Sequence, residues 1–354
     1  MLEVDIMVDY LIVGLGLSGL SYIEQLETNN KSYVVFENAT QKSSRVAGGL
    51  YNPVVLKRFT MAWDAPQQLR TAISFYKNVE KRLGRKLITE LPVLRRFNSV
   101  EEQNTWFEAC DRPKLCDFLY SELIQNANQG LDIPYHYGKV RHTGRIDLPL
   151  LLSAYEDYLV DKGVLRKESF KYDELILKKD YVVYNDVTYK KVVFAEGYGI
   201  KKNPFFNGLP LVGNKGEYLI IKSKELQLKE VIKSSIFIIP LGEDTYKVGA
   251  TYNHEDKSSE ITDKAKEELQ KKLDQFIKVP YQIVGQVTGI RPTVRDRRPL
   301  VGTHHAYNQI HVLNGLGTRG ILIGPTIAKK LYDHIENHVP LDEEINIDRF
   351  KNLL

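Results

Sequence analysis

The chain has 354 residues, 43% of them hydrophobic and 27% charged, a composition ordinary for a globular protein and a length too great for one simple core. Its 49 basic and 45 acidic residues leave a net charge of only +4, so charge demands no nucleic-acid surface. Cys110 and Cys116 are too few for a disulfide framework, and neither they nor the scattered histidines match a metal pattern. No apolar stretch approaches the ~18 residues of a membrane helix, and Glu3, Asp5 and Asp9 interrupt any secretory segment, so a cytoplasmic location is expected.

The first element is a short apolar run, Tyr10 to Val13, of the kind that forms a strand buried on both faces. It feeds directly into Gly14-Leu15-Gly16-Leu17-Ser18-Gly19, after which Leu17, Leu20, Ile23 and Leu26 mark one stripe of a helix. A second strand, Tyr33 to Phe36, ends on Glu37. Gly14 permits a tight turn, Gly16 lets a pyrophosphate approach the backbone and Gly19 lets helix and strand pack closely. The helix start offers open N–H groups and the positive end of its dipole. A carboxylate at the end of the second strand accepts ribose hydroxyls and repels a 2′-phosphate, so Glu37 favours FAD or NAD over NADP.

Further along come Ser43-Ser44-Arg45-Val46-Ala47-Gly48-Gly49-Leu50-Tyr51-Asn52-Pro53, a helical pattern over Gln67 to Val79, and Gly144-Arg145-Ile146-Asp147 followed by an apolar helix near Leu148. Lys191 to Phe194 reads as a strand entering Ala195-Glu196-Gly197. The stretch from Leu209 to Val287 is strand-rich and reads as an antiparallel sheet. Gly289-Ile290-Arg291-Pro292-Thr293-Val294 and Asp296 to Gly302 follow. Ile310 to Leu313 then forms a strand, Asn314-Gly315-Leu316-Gly317-Thr318-Arg319-Gly320-Ile321 a glycine-rich turn, and Ile327, Ala328, Leu331 and Ile335 continue a helix whose start is a second anion site. His304 and His305 are adjacent, and on a strand they would point to opposite faces, which marks them as structural.

The Ser-rich Ala-Gly-Gly segment and the G-x-R-P…D…P-x-x-G segment together resemble the D-amino-acid oxidase superfamily, and the likeness runs nearly end to end. It implies an α/β protein in which a Rossmann-type FAD-binding domain (1–81, 140–208 and 288–354) is interleaved with an antiparallel-sheet α+β substrate domain (82–139 and 209–287). FAD contacts are then expected at Gly14, Gly16, Ser18, Gly19 and Glu37, along the diphosphate at Ser44, Arg45, Ala47, Gly48 and Gly49, at Gly197, and at the last turn from Gly315, Gly317, Thr318, Gly320 and Ile321.

The resemblance also makes Arg291 the partner of a substrate carboxylate, with Arg319 and Tyr252 beside it. The plainer readings are a surface ion pair for Arg291, a sheet-capping arginine for Arg319 and an exposed loop residue for Tyr252. Two positions depart from the family. Glu196 replaces a small residue and either contacts the nucleotide or faces solvent, and Phe237 stands where a tyrosine hydroxyl is usual.

The reaction implied is oxidation of the C–N bond of a small carboxylate-bearing amine, of the glycine, sarcosine or D-amino-acid type, with oxygen or another acceptor taking the electrons and no side-chain base required. Gly49 to Pro53 also resemble the oxidase domain that acts on the carboxymethylaminomethyl group of a tRNA wobble uridine, which makes tRNA a second candidate substrate. A flavoprotein that keeps FAD without turnover is a third reading.

Overall fold

The computed structural model describes residues 7–353, so Glu3 and Asp5, invoked against a secretory segment, lie outside the described residues. Two eight-stranded sheets organise the chain. The nucleotide sheet has a parallel centre in which strand Val8–Val13 lies between Tyr33–Phe36 and Val187–Phe194, with Tyr307–Asn314 next in line. The apolar run at Leu11 and Ile12 is fully buried because helices or loops cover both sheet faces. Helices Leu17–Thr28, Ala65–Leu83, Leu148–Asp161 and Gly320–Asn337 pack one face through Leu20, Ile23, Tyr76, Leu151 and Ile327. The other face is closed by an aromatic-rich cluster around Phe170, Phe194 and Phe206.

The second sheet is antiparallel apart from one parallel contact, between Val231–Lys233 and Val93–Arg96. Strand Leu211–Lys222 lies second from one edge, between the edge strand Gln282–Val294 and strand Thr245–Gly249; Phe237–Gly242 follows beyond. Period-two alternation sorts strand Leu211–Lys222. Leu219 and Ile221 point to a core roofed by helix Asp263–Asp274, an element whose Ala265, Leu269 and Leu273 spacing marks it inside the stretch read as strand-rich. Asn214, Gly216 and Tyr218 point the opposite way, as do their register partners Arg291 and Gly289.

That second face packs on the segment Ser43–Gly49. A side chain at Gly289 would meet Val46 Cγ2 at 2.7 Å, and one at Gly48 would meet Ile239 Cδ1 at 2.7 Å. The chain therefore crosses between the two sheets several times, and strand Gln282–Val294 runs through position 288 without leaving the second sheet. Among the described residues no helix is long and apolar enough to cross a membrane.

The expectation that His304 and His305 point to opposite faces is corrected. Strand Leu300–His304 ends at the first histidine and the second lies in the turn, so alternation stops and the rings stack 4.5 Å apart.

Candidate active site

The glycine loop leaves no room for side chains. Gly14 has φ +101°, and a Cβ there would sit 2.6 Å from Ala195 O; one on Gly19 would sit 2.0 Å from Gly14 O. Only glycine fits both. In the first turn of the helix, Leu17 N–H donates to Ser44 Oγ at 3.1 Å and Leu20 N–H to Gly16 O at 2.9 Å, so Ser18 and Gly19 carry the open donors. Glu37 accepts from Leu15 N–H and Ala39 N–H, each at 2.5 Å, which brings a carboxylate against the loop.

The far end of the chain arrives beside it. Asn314 Nδ2 donates to Gly197 O at 2.9 Å, tying the last turn to the end of the central strand. Gly317, at φ +61°, donates its N–H to Pro292 O at 3.0 Å, Thr318 is exposed, and Gly320 and Ile321 open the final helix. Two helix starts thus converge with the Ser43–Gly49 segment, and two cations, Lys247 and Arg145, flank that segment. Lys247 Nζ donates to Val46 O at 3.0 Å and Ala47 O at 3.2 Å. Burial, with Arg145 nearby, brings this ammonium down to about 8. Arg45 is paired with Glu156 at 2.5 Å, so the guanidinium expected on the diphosphate is held by a carboxylate of helix Leu148–Asp161. The side-chain-free cradle at Gly14 and Gly19, the carboxylate at its rim and the surrounding positive charge fit an FAD molecule.

Arg291 lies half-buried on the sheet face turned toward Gly48. Its Nη1 donates to Asn214 Oδ1 at 3.1 Å and Thr251 O at 3.2 Å, and its guanidinium stacks 4.5 Å from the centre of the Tyr252 ring. A Cβ on Gly216 would fall 2.0 Å from Nη2, so the guanidinium occupies the space that glycine vacates. Among the described residues no carboxylate pairs with Arg291. Arg319 is more deeply buried and donates to Asn52 O at 2.6 Å and Val54 O at 3.4 Å; burial pulls its pKa down and Tyr252 opposes this. Two of its donors are thus committed to backbone, while Tyr252, 65% exposed, borders both arginines.

Tyr218 and Lys247 escaped sequence reasoning. The Tyr218 ring lies over Gly249 with its hydroxyl near Gly48 and Arg291, and Lys247 Nζ stands 5.3 Å from the ring centre. Burial pushes that hydroxyl's pKa up, with the Arg291 charge pulling the other way. Tyr218, Gly249 and Phe237 share one row across three strands, so a hydroxyl stands two strands from the position where Phe237 lacks one. The readable signal was the alternation of Asn214, Gly216 and Tyr218 along a single strand. Glu196 does not face solvent: its carboxylate accepts from Tyr172 Oη and, at 2.8 Å, from Asn203 Nδ2, and burial raises it to about 7.

Comparison with known proteins agrees with this anatomy. A curated relative, the tRNA 5-methylaminomethyl-2-thiouridine biosynthesis bifunctional protein MnmC of Idiomarina loihiensis, is 26% identical over 175 residues, a match spanning 46% of this chain and 28% of that protein. The glycine oxidase structure from Bacillus cereus superposes with a TM-score of 0.76 at 19% identity, covering 98% of each chain. The glycine oxidase from Geobacillus kaustophilus gives 0.77 at 17%, again over 98% of each. The profile of the DAO family, described as FAD dependent oxidoreductase, matches residues 9–334, and the chain therefore belongs to this family of FAD-dependent oxidoreductases.

Proposed function

We propose that the protein oxidises the C–N bond of a small amine bearing a carboxylate, of the glycine, sarcosine or D-amino-acid type. The observation that carries this reading is Arg291: a half-buried guanidinium facing Gly48, held by neutral oxygens, with no carboxylate of the described chain to pair with. Such a cation recognises an external carboxylate by paired hydrogen bonds. When bound, FAD supplies the acceptor for a hydride from the carbon that carries the nitrogen. Arg291 anchors the carboxylate, Tyr252 covers the guanidinium and Tyr218 offers a hydroxyl between Arg291 and Gly48. The amine enters neutral, so positioning rather than a side-chain base is the protein's task. The same reading assigns FAD contacts to both helix starts and to Ser43–Gly49, and divides the chain at 81, 139, 208 and 287.

Anaerobic mixing with a panel of D- and N-methyl amino acids is expected to bleach the flavin with at least one member, and Arg291→Ala to raise its KM roughly 100-fold. A panel that leaves the flavin oxidised would sink the proposal. The match to the wobble-uridine protein favours a second reading, in which the carboxylate belongs to a carboxymethylaminomethyl uridine of tRNA and Arg291 plays the same part. Unchanged wobble-uridine modification in a deletion strain eliminates it.

A further inference from the structure

We propose that Lys247 and Arg145, two cations set against Val46–Gly49 without a full complement of acids, raise the oxidising power of the bound flavin by stabilising the negative charge it gains on reduction. The inference rests on the reading that FAD lies along Ser43–Gly49 and that Arg291 holds the substrate carboxylate. That segment meets the glycine loop where Ser44 Oγ accepts from Leu17 N–H at 3.1 Å, and it reaches Gly48 beside the Tyr218 hydroxyl and Arg291. A dinucleotide whose diphosphate sits on the helix start and whose ring meets a substrate held by Arg291 must follow this path. Lys247 comes to it from strand Thr245–Gly249 and Arg145 from strand Gly144–Ile146.

Lys247 is 7% exposed, and the three donors of its ammonium face neutral groups only: Val46 O at 3.0 Å, Ala47 O at 3.2 Å and the Tyr218 ring, whose centre is 5.3 Å away. Among the described residues no carboxylate pairs with it. Arg145 has its Cγ 3.3 Å from the place a Cβ on Gly49 would take, and its Nε is buried without a partner. The acid it pairs with, Asp147, stands 3.3 Å away with its side chain 36% exposed, so water screens that pair. The contrast is with Lys215, which has Asp256 at 2.6 Å, and Arg45, which has Glu156 at 2.5 Å. Where a cation only fastens the chain, this protein gives it a carboxylate. A neutral donor would satisfy the carbonyls of Val46 and Ala47 without the cost of burying an ammonium. What the charge adds is a field in a poorly screened interior. In the proposed oxidation the substrate C–H bond breaks, its hydrogen and both electrons pass to ring N5, the amine is left as an iminium cation and the ring gains one negative charge. A fixed cation favours that product over the neutral oxidised ring. Neither residue is catalytic; both act across the backbone of the segment.

The test measures the midpoint potential of the FAD-loaded protein by equilibration with redox dyes, without substrate, at pH 7, below the value of about 8 to which burial brings Lys247. Lys247→Gln loses the charge but keeps donors for the carbonyls, Lys247→Met loses both, and Lys247→Arg keeps both. The Gln and Met variants are expected to shift the equilibrium roughly tenfold toward oxidised flavin, about 30 mV for a two-electron couple, the scale of a unit charge acting across about 10 Å of protein interior. Arg145→Met should move it in the same direction, and Lys247→Arg should hold the wild-type potential. A wild-type potential in the Gln and Met variants overturns the inference, and so does a shift in Met alone, which would make Lys247 a hydrogen-bonded clamp. The two levels separate because no substrate is used. If no amine bleaches the flavin yet the potentials shift as stated, the substrate reading alone fails; if amines reduce it while the potentials stay fixed, only this inference fails. Unchanged FAD content and melting temperatures show that each variant is folded and loaded.

Discussion

Glu196 shows how one side chain can carry a pH signature without entering the chemistry. Burial raises its carboxyl from 4.5 to about 7, against opposing hydrogen bonds from Asn203 and Tyr172. Between those two values the folded protein holds a proton that the unfolded chain has released, so stability falls as pH rises across that window, by up to about 3 kcal/mol. Glu196→Gln, a neutral mimic whose oxygen accepts from Asn203 Nδ2 and whose NH2 can donate to the Tyr172 hydroxyl, is expected to flatten this descent in denaturant titrations from pH 4.5 to 7; a variant with the wild-type slope would refute the assignment. The residue was visible in the sequence as a departure, yet its partners were not, because Tyr172 and Asn203 reach it from separate loops. Arg319 is similar: its place in the last turn was legible, whereas the carbonyls of Asn52 and Val54 that occupy its guanidinium come from the opposite end of the chain.

At the scale of elements, the decisive piece is the loop between strand Thr245–Gly249 and helix Asp263–Asp274, which bears Tyr252 and His254. It is fastened from below by a charged pair on the far side of strand Leu211–Lys222. Lys215, 1% exposed, binds Asp256 at 2.6 Å and Ser258 Oγ at 3.0 Å, and Glu217 accepts from Thr262 N–H at 2.9 Å. Lys215 holds the Asp256 carboxyl down at about 2, so the pair persists through mildly acid conditions. Asp256→Ala leaves a buried ammonium with Glu217 at 3.8 Å as its remaining acid, and is expected to cost about 3 kcal/mol and to raise amide exchange across 252–262. Unaltered exchange there would show that the loop is held by its backbone bridge to Lys215 instead. The strand itself was legible, but two charged residues inside an apolar alternation are recognisable as a fastening only once Asp256 is in place.

For the whole molecule, the proposed nucleotide site draws on the first turn, the Ser43–Gly49 segment and the last turn, so FAD held there would touch parts that are remote in sequence and only the folded chain would present it. A ligand bound to the folded state alone stabilises by about 2.7 kcal/mol at a hundredfold excess over its dissociation constant. FAD-stripped protein is therefore expected to melt several degrees below the loaded form and to recover on adding FAD, as followed by calorimetry; a melting temperature indifferent to FAD would count against this assembly. The sequence by itself determined the nucleotide class, because Gly14, Gly19 and Glu37 act within one strand-helix-strand unit whose spacing is local. It also determined the family, through motifs carried by contiguous residues at both ends. What only the tertiary structure decided is which side chains meet at Arg291. Asn214, Tyr218 and Tyr252 lie on another strand and a loop, and their convergence follows from sheet register and from the space left open at Gly216 and Gly249. Register is a long-range property, set by which strands pair, and no local spacing encodes it.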